Sequence, residues 1–187
     1  PVLDRMIAVG GGRFCGIRNQ TAWHEDPEIA TNPVPPVRGL LTEPAFRDGA
    51  RRLGARGLTL DVWAYHTQLT EFEDLARACP DTAIVLDHLG GPLGAGPYRG
   101  RREEVLADWR ASMGRIAELP NVYVKLGGLA MGAGGFDFHL ADQPPASDLL
   151  AAAWDPYISF AVERFGTQRC MFESNFPVDK GMVSYLS

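Results

Sequence analysis

The sequence IVLDHLGGP, residues 84–92, decides the fold class of this chain. A short apolar run closed by a Gly-Gly-Pro turn is typical of a strand that is buried on both faces, as in a parallel sheet. His88 therefore stands where a strand gives way to a loop, and ligands bind at that edge of α/β sheets. A histidine hydrogen-bonded inside the core is the alternative for His88 taken alone. Polar residues at the ends of the other predicted strands favour an active site.

Apolar strand-like runs alternate with amphipathic helical segments along the rest of the chain. The predicted strands cover residues 13–18, 58–65, 83–86, 122–126 and 169–173, and the predicted helices cover residues 43–53, 70–78, 102–119 and 149–165. This alternation predicts βα units and hence an α/β fold with a parallel sheet, its strands ordered as in the sequence. Two long loops follow the third and fourth strands, where α/β enzymes carry their binding loops. They span residues 90–100 and 127–145.

The composition indicates one domain over residues 1–187 and argues against several functions. Of the 187 residues, 45% are hydrophobic, which is enough for one core. The formal net charge is -5 and the basic residues are scattered, which argues against a nucleic-acid partner. No apolar run is long enough to span a bilayer, so no membrane partner is expected. The three cysteines lack the spacing of a zinc or disulfide framework, and a cytoplasmic protein is expected.

Candidate binding and acid–base residues stand in or just after the first, second and fourth predicted strands. Arg18 ends the first strand and suits a substrate carboxylate, with a surface ion pair as the alternative. His66 and Gln68 follow the second strand; His66 is a candidate general base, or else a loop histidine in water. Lys125 lies within the fourth strand. It either binds a substrate or pairs structurally with Asp61 or Glu173.

Two further candidates end the last predicted strand. Glu173 and Asn175 share one face of that strand, because side chains alternate with a period of two. They join His88 and His66 as candidate catalytic residues. Arg18, Lys125 and Gln68 are the candidate substrate-binding residues. The chain has no Gly-x-Ser-x-Gly elbow, so a serine hydrolase has no support.

Two motifs make the chain resemble the amidohydrolase-related family, which includes lactonases and decarboxylases of the amidohydrolase superfamily. They are VLDHLGGP at residues 85–92 and MFESNFPVDK at residues 171–180. Residues 16–18 and 122–126 are similar to that family's fourth and seventh strands. The resemblance implies a (β/α)8 TIM-barrel fold. The five strands predicted for this chain would correspond to the fourth to eighth strands of such a barrel. The chain is therefore expected to be an N-terminally incomplete, partial barrel.

The resemblance also implies roles for His88 and Asn175. His88 corresponds to the sixth-strand histidine, which is a metal ligand in some relatives and polarises the substrate in metal-free lactonases. The family's first-strand His-x-His pair has no counterpart in this sequence. Asn175 occupies the position where relatives usually carry an aspartate that acts as general base or metal ligand. Either Glu173 takes over, or the chemistry differs. The cofactor expectation is accordingly none, or a divalent zinc or manganese ion in the complete protein.

The expected function is hydrolysis of a lactone or similar carbonyl of a small carboxylated compound. His88 and His66 would polarise the carbonyl or move protons, while Arg18 and Lys125 would hold a carboxylate. Decarboxylation on the same scaffold is the alternative enzyme. A further alternative is that the chain is an inactive fragment, whose barrel is completed by the missing N-terminal strands or by a partner chain. Unpaired strand edges would then favour self-association into a homo-oligomer.

Overall fold

A single sheet of five parallel strands organises the chain in the computed structural model, which describes residues 1–30 and 32–184. The strand order is β1-β2-β3-β4-β5 and every neighbouring pair is parallel, as the alternation predicted. The strands are β1 (Gly16–Gln20), β2 (Thr59–Trp63), β3 (Ile84–Leu86), β4 (Val122–Leu126) and β5 (Cys170–Phe172). The helices are α1 (Val2–Gly10), α2 (Pro44–Gly54), α3 (Leu69–Ala78), α4 (Arg102–Ala117) and α5 (Ser147–Phe165).

The two faces of the sheet differ in polarity because side chains alternate along each strand. One face packs against the helices and supplies the apolar core. Its strand residues, all buried, are Leu60, Val62, Ile84, Leu86, Val122 and Val124. The opposite face carries the charged side chains of Arg18, Asp61 and Lys125. The register aligns Arg18 with Asp61, so these charges lie on adjacent strands.

The helical layer is fixed by large aromatic and apolar side chains from α4 and α5. Trp109 and Met113 of α4 are fully buried, and the Trp109 ring meets Tyr157 of α5 edge-on at 5.3 Å between centroids. The prediction that one side of the 102–119 segment is apolar is therefore confirmed. Among residues 1–30 and 32–184, no helix is long and apolar enough to cross a membrane.

Two local predictions are wrong. The segment before β1 forms helix α1, and β1 begins at Gly16 rather than at residue 13. Helix α3 begins at Leu69 rather than at residue 70. Its Glu73 binds the guanidinium groups of Arg77 and Arg115.

Candidate active site

A cavity of about 920 Å³ opens at the carboxyl edge of the sheet. Strand ends and the loops that follow them form its wall, which matches the expected place for ligand binding in an α/β fold. Three of the sequence-predicted residues line it: Arg18, His88 and Asn175. The sheet therefore brings together residues that are far apart in the sequence.

His88 is held between a cation and a carboxylate. Its Nε2 lies 2.8 Å from Nη2 of Arg18, and its Nδ1 lies 2.6 Å from Oε1 of Glu173. A guanidinium group can only donate hydrogen bonds, so Nε2 accepts and the ring proton resides on Nδ1. Nδ1–H then donates to Glu173. This arrangement fixes the tautomer and gives the ring the carboxylate partner that a general base uses.

Behind His88, a chain of four alternating charges extends across the sheet from β1 to β4. The carboxylate of Asp87 is fully buried; its Oδ2 lies 2.8 Å from Nε of Arg18 and its Oδ1 lies 2.7 Å from Nζ of Lys125. Lys125 also lies 2.7 Å from Oδ2 of Asp61. Burial alone would lower the pKa of the Lys125 ammonium, but the hydrogen bonds and charges of Asp61 and Asp87 raise it above its usual value. Of the alternatives for Lys125, the structure shows structural pairing with Asp61, together with Asp87.

The backbone at His88 adopts a conformation that L-residues rarely take. His88 and Leu89 have φ angles of 54° and 55°, and Gly90 and Gly91 continue the left-handed run. A non-glycine residue there costs about 1–2 kcal/mol, so surrounding contacts must hold it. The buried indole of Trp109 donates from Nε1 to the Leu89 carbonyl at 2.6 Å, and the Gly91 amide donates to the His88 carbonyl at 2.9 Å. The turn thus aims the imidazole across the sheet edge.

The two glycines after β4 leave room for the His88–Glu173 pair. A Cβ built on Gly127 would lie 2.4 Å from Cγ of Glu173, and one on Gly128 would lie 2.6 Å from Cβ of His88. Gly128 also has a φ of 74°, which a side chain would strain. The loop after β4 can approach the pair this closely only as a Gly-Gly sequence.

A carboxylate that the sequence analysis missed lies behind Asn175. Asp179 is 7% exposed, and its Oδ1 accepts a hydrogen bond of 2.6 Å from Nδ2 of Asn175. Burial raises the pKa of Asp179, while hydrogen bonds from Asn175 and from the Ala130 backbone partly oppose that shift. The signal was present, because Asp179 belongs to the same MFESNFPVDK motif.

His66 and Gln68 do not join this group, and neither lines the cavity. Burial lowers the pKa of His66 to about 4, its Nδ1 accepts from the Leu93 amide at 3.3 Å, and its ring packs edge-on against Tyr98. Gln68 is buried and bridges backbone groups of Thr21, Trp23 and Tyr65. Both ends of its side-chain amide are therefore engaged in hydrogen bonds to backbone groups of the loops after β1 and β2. The placement of these two residues does not favour a role in catalysis or substrate binding at this cavity.

The mouth of the cavity carries a second set of charges. Arg99, in the loop after β3, lies 3.3 Å from Oε1 of Glu28 and 3.0 Å from Oδ2 of Asp137. These partners belong to the loops after β1 and β4, so one guanidinium ties three loops together. All three side chains are partly or largely exposed, and such pairs contribute little to stability. His139 also lines the cavity.

Comparisons with known proteins identify the family. The amidohydrolase family model matches residues 2–185. The chain is 35% identical over 173 residues to the uncharacterised protein y4mH of Sinorhizobium fredii (strain NBRC 101917 / NGR234), covering 92% of this chain and 50% of that protein. It is 33% identical over 182 residues to L-fucono-1,5-lactonase of Burkholderia multivorans (strain ATCC 17616 / 249), covering 97% of this chain and 55% of that enzyme.

The chain belongs to the amidohydrolase family. A crystal structure of an amidohydrolase from Burkholderia multivorans with bound HEPES superimposes with a TM-score of 0.76 at 27% identity, covering 99% of this chain and 58% of that one. The fold is accordingly a partial barrel of the TIM type. The chain spans about half the length of the curated relatives it matches.

A second crystal structure of the Burkholderia multivorans amidohydrolase contains zinc. In the present chain, residues 1–30 and 32–184 contain no group of three or more histidine, cysteine, aspartate or glutamate side chains that could hold a metal ion. Both ring nitrogens of His88 already have partners, and the partner of Nε2 is the cationic Arg18. These residues by themselves do not fit a metal centre, which needs three or more ligands.

Proposed function

We propose that the protein hydrolyses a lactone, opening the ring ester to a hydroxy acid. The observation that best supports this reaction is the triad of Glu173, His88 and Arg18 at the edge of the cavity. In this triad the imidazole contacts a carboxylate through Nδ1 and a guanidinium through Nε2. The 33% identity to L-fucono-1,5-lactonase supports this reaction over other hydrolyses.

In the proposed reaction, His88 acts as the general base. A water molecule enters between Nε2 of His88 and the lactone carbonyl carbon, displacing Arg18, whose side chain is 53% exposed and able to move. His88 takes a proton from the water as its oxygen attacks the carbonyl, and Glu173 stabilises the resulting imidazolium. The guanidinium of Arg18 stabilises the oxyanion of the tetrahedral intermediate. The ring C–O bond then breaks, and His88 returns the proton to the leaving alkoxide.

The charges around the cavity do not require a carboxylate on the substrate. Lys125 lies between Asp61 and Asp87, and Arg18 is already paired with Asp87. At the mouth, Arg99 is matched by two carboxylates. A dianionic substrate would meet more negative than positive charge here. We therefore infer that the substrate is a neutral, hydroxylated lactone rather than the carboxylated compound expected from the sequence. Decarboxylation, which needs a substrate carboxylate, is less well matched for the same reason.

Product analysis tests the proposed reaction. The purified protein is incubated with L-fucono-1,5-lactone, with other neutral sugar lactones and with a pyrone dicarboxylate, beside a buffer blank for spontaneous ring opening. We expect neutral lactones to gain one water by mass analysis faster than in the blank. Loss of carbon dioxide from a carboxylated substrate would instead show the decarboxylase.

Variants link this activity to the site. His88→Gln and Glu173→Gln should each lower kcat by roughly 10²–10⁴, the range typical of a lost general base or its partner. His24→Gln, in the loop after β1, is the matched control and should keep the wild-type rate. Hydrolysis that survives His88→Gln, or no hydrolysis of any lactone by the wild type, contradicts the proposal.

A further inference from the structure

Asn175 occupies a position at which an amide has two possible orientations with opposite chemistry. It lines the cavity just beyond β5, close to Glu173. Its backbone is left-handed with a φ of 48°, a conformation that asparagine tolerates better than most residues. Turned one way, the amide offers the cavity an oxygen that accepts hydrogen bonds. Turned the other way, it offers an NH₂ group that donates them.

Asp179 removes this ambiguity. A carboxylate can only accept hydrogen bonds, so the group at 2.6 Å from its Oδ1 must be the NH₂ of Asn175. The carboxyl group is 7% exposed, which makes the hydrogen bond stronger than it would be in water. One N–H of Asn175 is committed to Asp179, and the acceptor that the side chain retains is Oδ1.

Asn175 lines the same cavity as His88, whose imidazole is bonded to Glu173. After burial, the charge of Glu173 is a further cause that raises the pKa of Asp179, so the Asp179–Asn175 pair lies near Glu173. Two acceptors, Nε2 and Oδ1, match the two hydrogens of one water molecule and leave an oxygen lone pair for the carbonyl carbon.

We propose that Asp179 is a positioning residue: through its hydrogen bond to Asn175 it turns the amide oxygen toward the cavity, where that oxygen and His88 orient the attacking water. This inference rests on the proposed lactone hydrolysis. It also explains how an asparagine just beyond β5 can take part in the reaction. Asn175 cannot take a proton, so it supplies an acceptor while His88 supplies the base.

Rescue by a reversed pair provides the kinetic test. In Asp179→Asn, two amides face each other and Asn175 can turn either way, so kcat should fall at least 10-fold while KM changes little. The double variant Asn175→Asp/Asp179→Asn restores a carboxylate–amide pair and again offers an acceptor oxygen to the cavity. It should recover most of the lost kcat. Asp142→Asn, an exposed change in the loop after β4, is the control.

Two kinetic outcomes overturn the proposal. Unchanged kcat in Asp179→Asn shows that the orientation of Asn175 does not matter. A folded double variant, with wild-type thermal unfolding, that stays as slow as Asp179→Asn shows that Asp179 acts by another route.

A measurement without substrate separates this proposal from the proposed function. The side-chain NH₂ protons of Asn175 are followed by NMR hydrogen exchange. Exchange should be slow in the wild type and in Asp142→Asn, and at least 10-fold faster in Asp179→Asn. Fast exchange in the wild type overturns the orientation by Asp179 even if lactones are hydrolysed. Slow exchange without any lactone hydrolysis overturns the proposed reaction and the role of the water, while the Asp179–Asn175 orientation stands.

Discussion

Arg18 on β1 and His88 after β3 lie 2.8 Å apart, guanidinium nitrogen Nη2 to imidazole nitrogen Nε2. The same guanidinium also binds Asp87, the residue just before His88, through Nε. One side chain therefore contacts the two consecutive residues that directly follow β3. Its position follows from the parallel order β1-β2-β3, which brings the carboxyl ends of these strands to one edge.

Removal of this guanidinium should affect the reaction more than the fold. In Arg18→Met, Asp87 keeps Lys125 as a partner, whereas the oxyanion loses its donor. We expect kcat on a hydrolysed lactone to fall by about 10²–10³, the usual cost of one oxyanion donor. Arg13→Met, at an exposed position before β1, is the control with the same change of charge. Steady-state kinetics of both variants make the comparison, and equal rates would remove Arg18 from the mechanism.

The strand pattern of this chain was predictable, because buried parallel strands leave a clear apolar signature. The predicted strand at residues 122–126 agrees with β4 at both ends. Helix α1 was missed; it precedes the first strand, so it is not part of any βα unit that the alternation predicts, and none of its residues is buried. The start of α3 was predicted one residue late, because the turn at residues 66–68 leads directly into the helix.

The candidate site was predictable only in part. Strand ends pointed to Arg18, His88, Glu173 and Asn175, and the structure gathers all four. Sequence spacing could not choose between Asp61 and Glu173 as the partner of Lys125, because that choice depends on strand register. It also could not show that the Gln68 amide hydrogen-bonds to backbone groups, or that Asp179 accepts a hydrogen bond from Asn175. Such contacts depend on loop conformations that no periodicity encodes.

The charge chain around the buried Asp87 should be needed for stability. In Lys125→Met, Asp61 loses its close cation and the fully buried Asp87 keeps only Arg18. Breaking a fully buried pair from one side costs about 3–5 kcal/mol. The loss here should be smaller, because Asp87 keeps Arg18 and the Lys125–Asp61 pair is partly exposed. We expect urea unfolding to show a loss of about 2–3 kcal/mol. The other lysine of the chain, Lys180, is exposed, and Lys180→Met should change stability by less than about 1 kcal/mol. Equal effects of the two changes would contradict the role of the chain.

His66 should make the fold sensitive to mild acid. Burial lowers its pKa from 6.5 to about 4, so between these values the unfolded chain binds a proton that the folded chain does not. Its contribution to stability is therefore present above pH 6.5 and is lost as the pH falls toward 4. The loss at pH 5 is on the order of 2 kcal/mol.

A non-titrating variant isolates this effect. His66→Gln keeps an acceptor for the Leu93 amide and has no proton to bind, so its unfolding free energy should fall less than that of the wild type between pH 7 and pH 5. Thr67→Ala, the exposed neighbour, should retain the wild-type dependence. Urea titrations at the two pH values measure the difference. If the unfolding free energies of the His66 variant and the wild type fall equally between pH 7 and pH 5, protonation of His66 is not the cause of the acid sensitivity.

The approach of the β4 loop to His88 gives the last prediction. In Gly128→Ala, the new methyl group would meet Cβ and Nδ1 of His88 at 2.6 and 2.8 Å, on a backbone with a φ of 74°. The imidazole must move away from Glu173 or the loop must retreat, and either change disrupts the 2.6 Å contact on Nδ1. A misplacement of about 1 Å can cost about 10² in rate, so we expect kcat/KM to fall by roughly that factor.

Gly114→Ala is the matched control, because a Cβ there meets nothing within 4 Å and alanine favours the helix α4 that contains it. It should keep full activity with equal or higher thermal stability. A Gly128→Ala protein with wild-type kcat/KM would mean that the position of His88 beside Glu173 is not needed for the reaction.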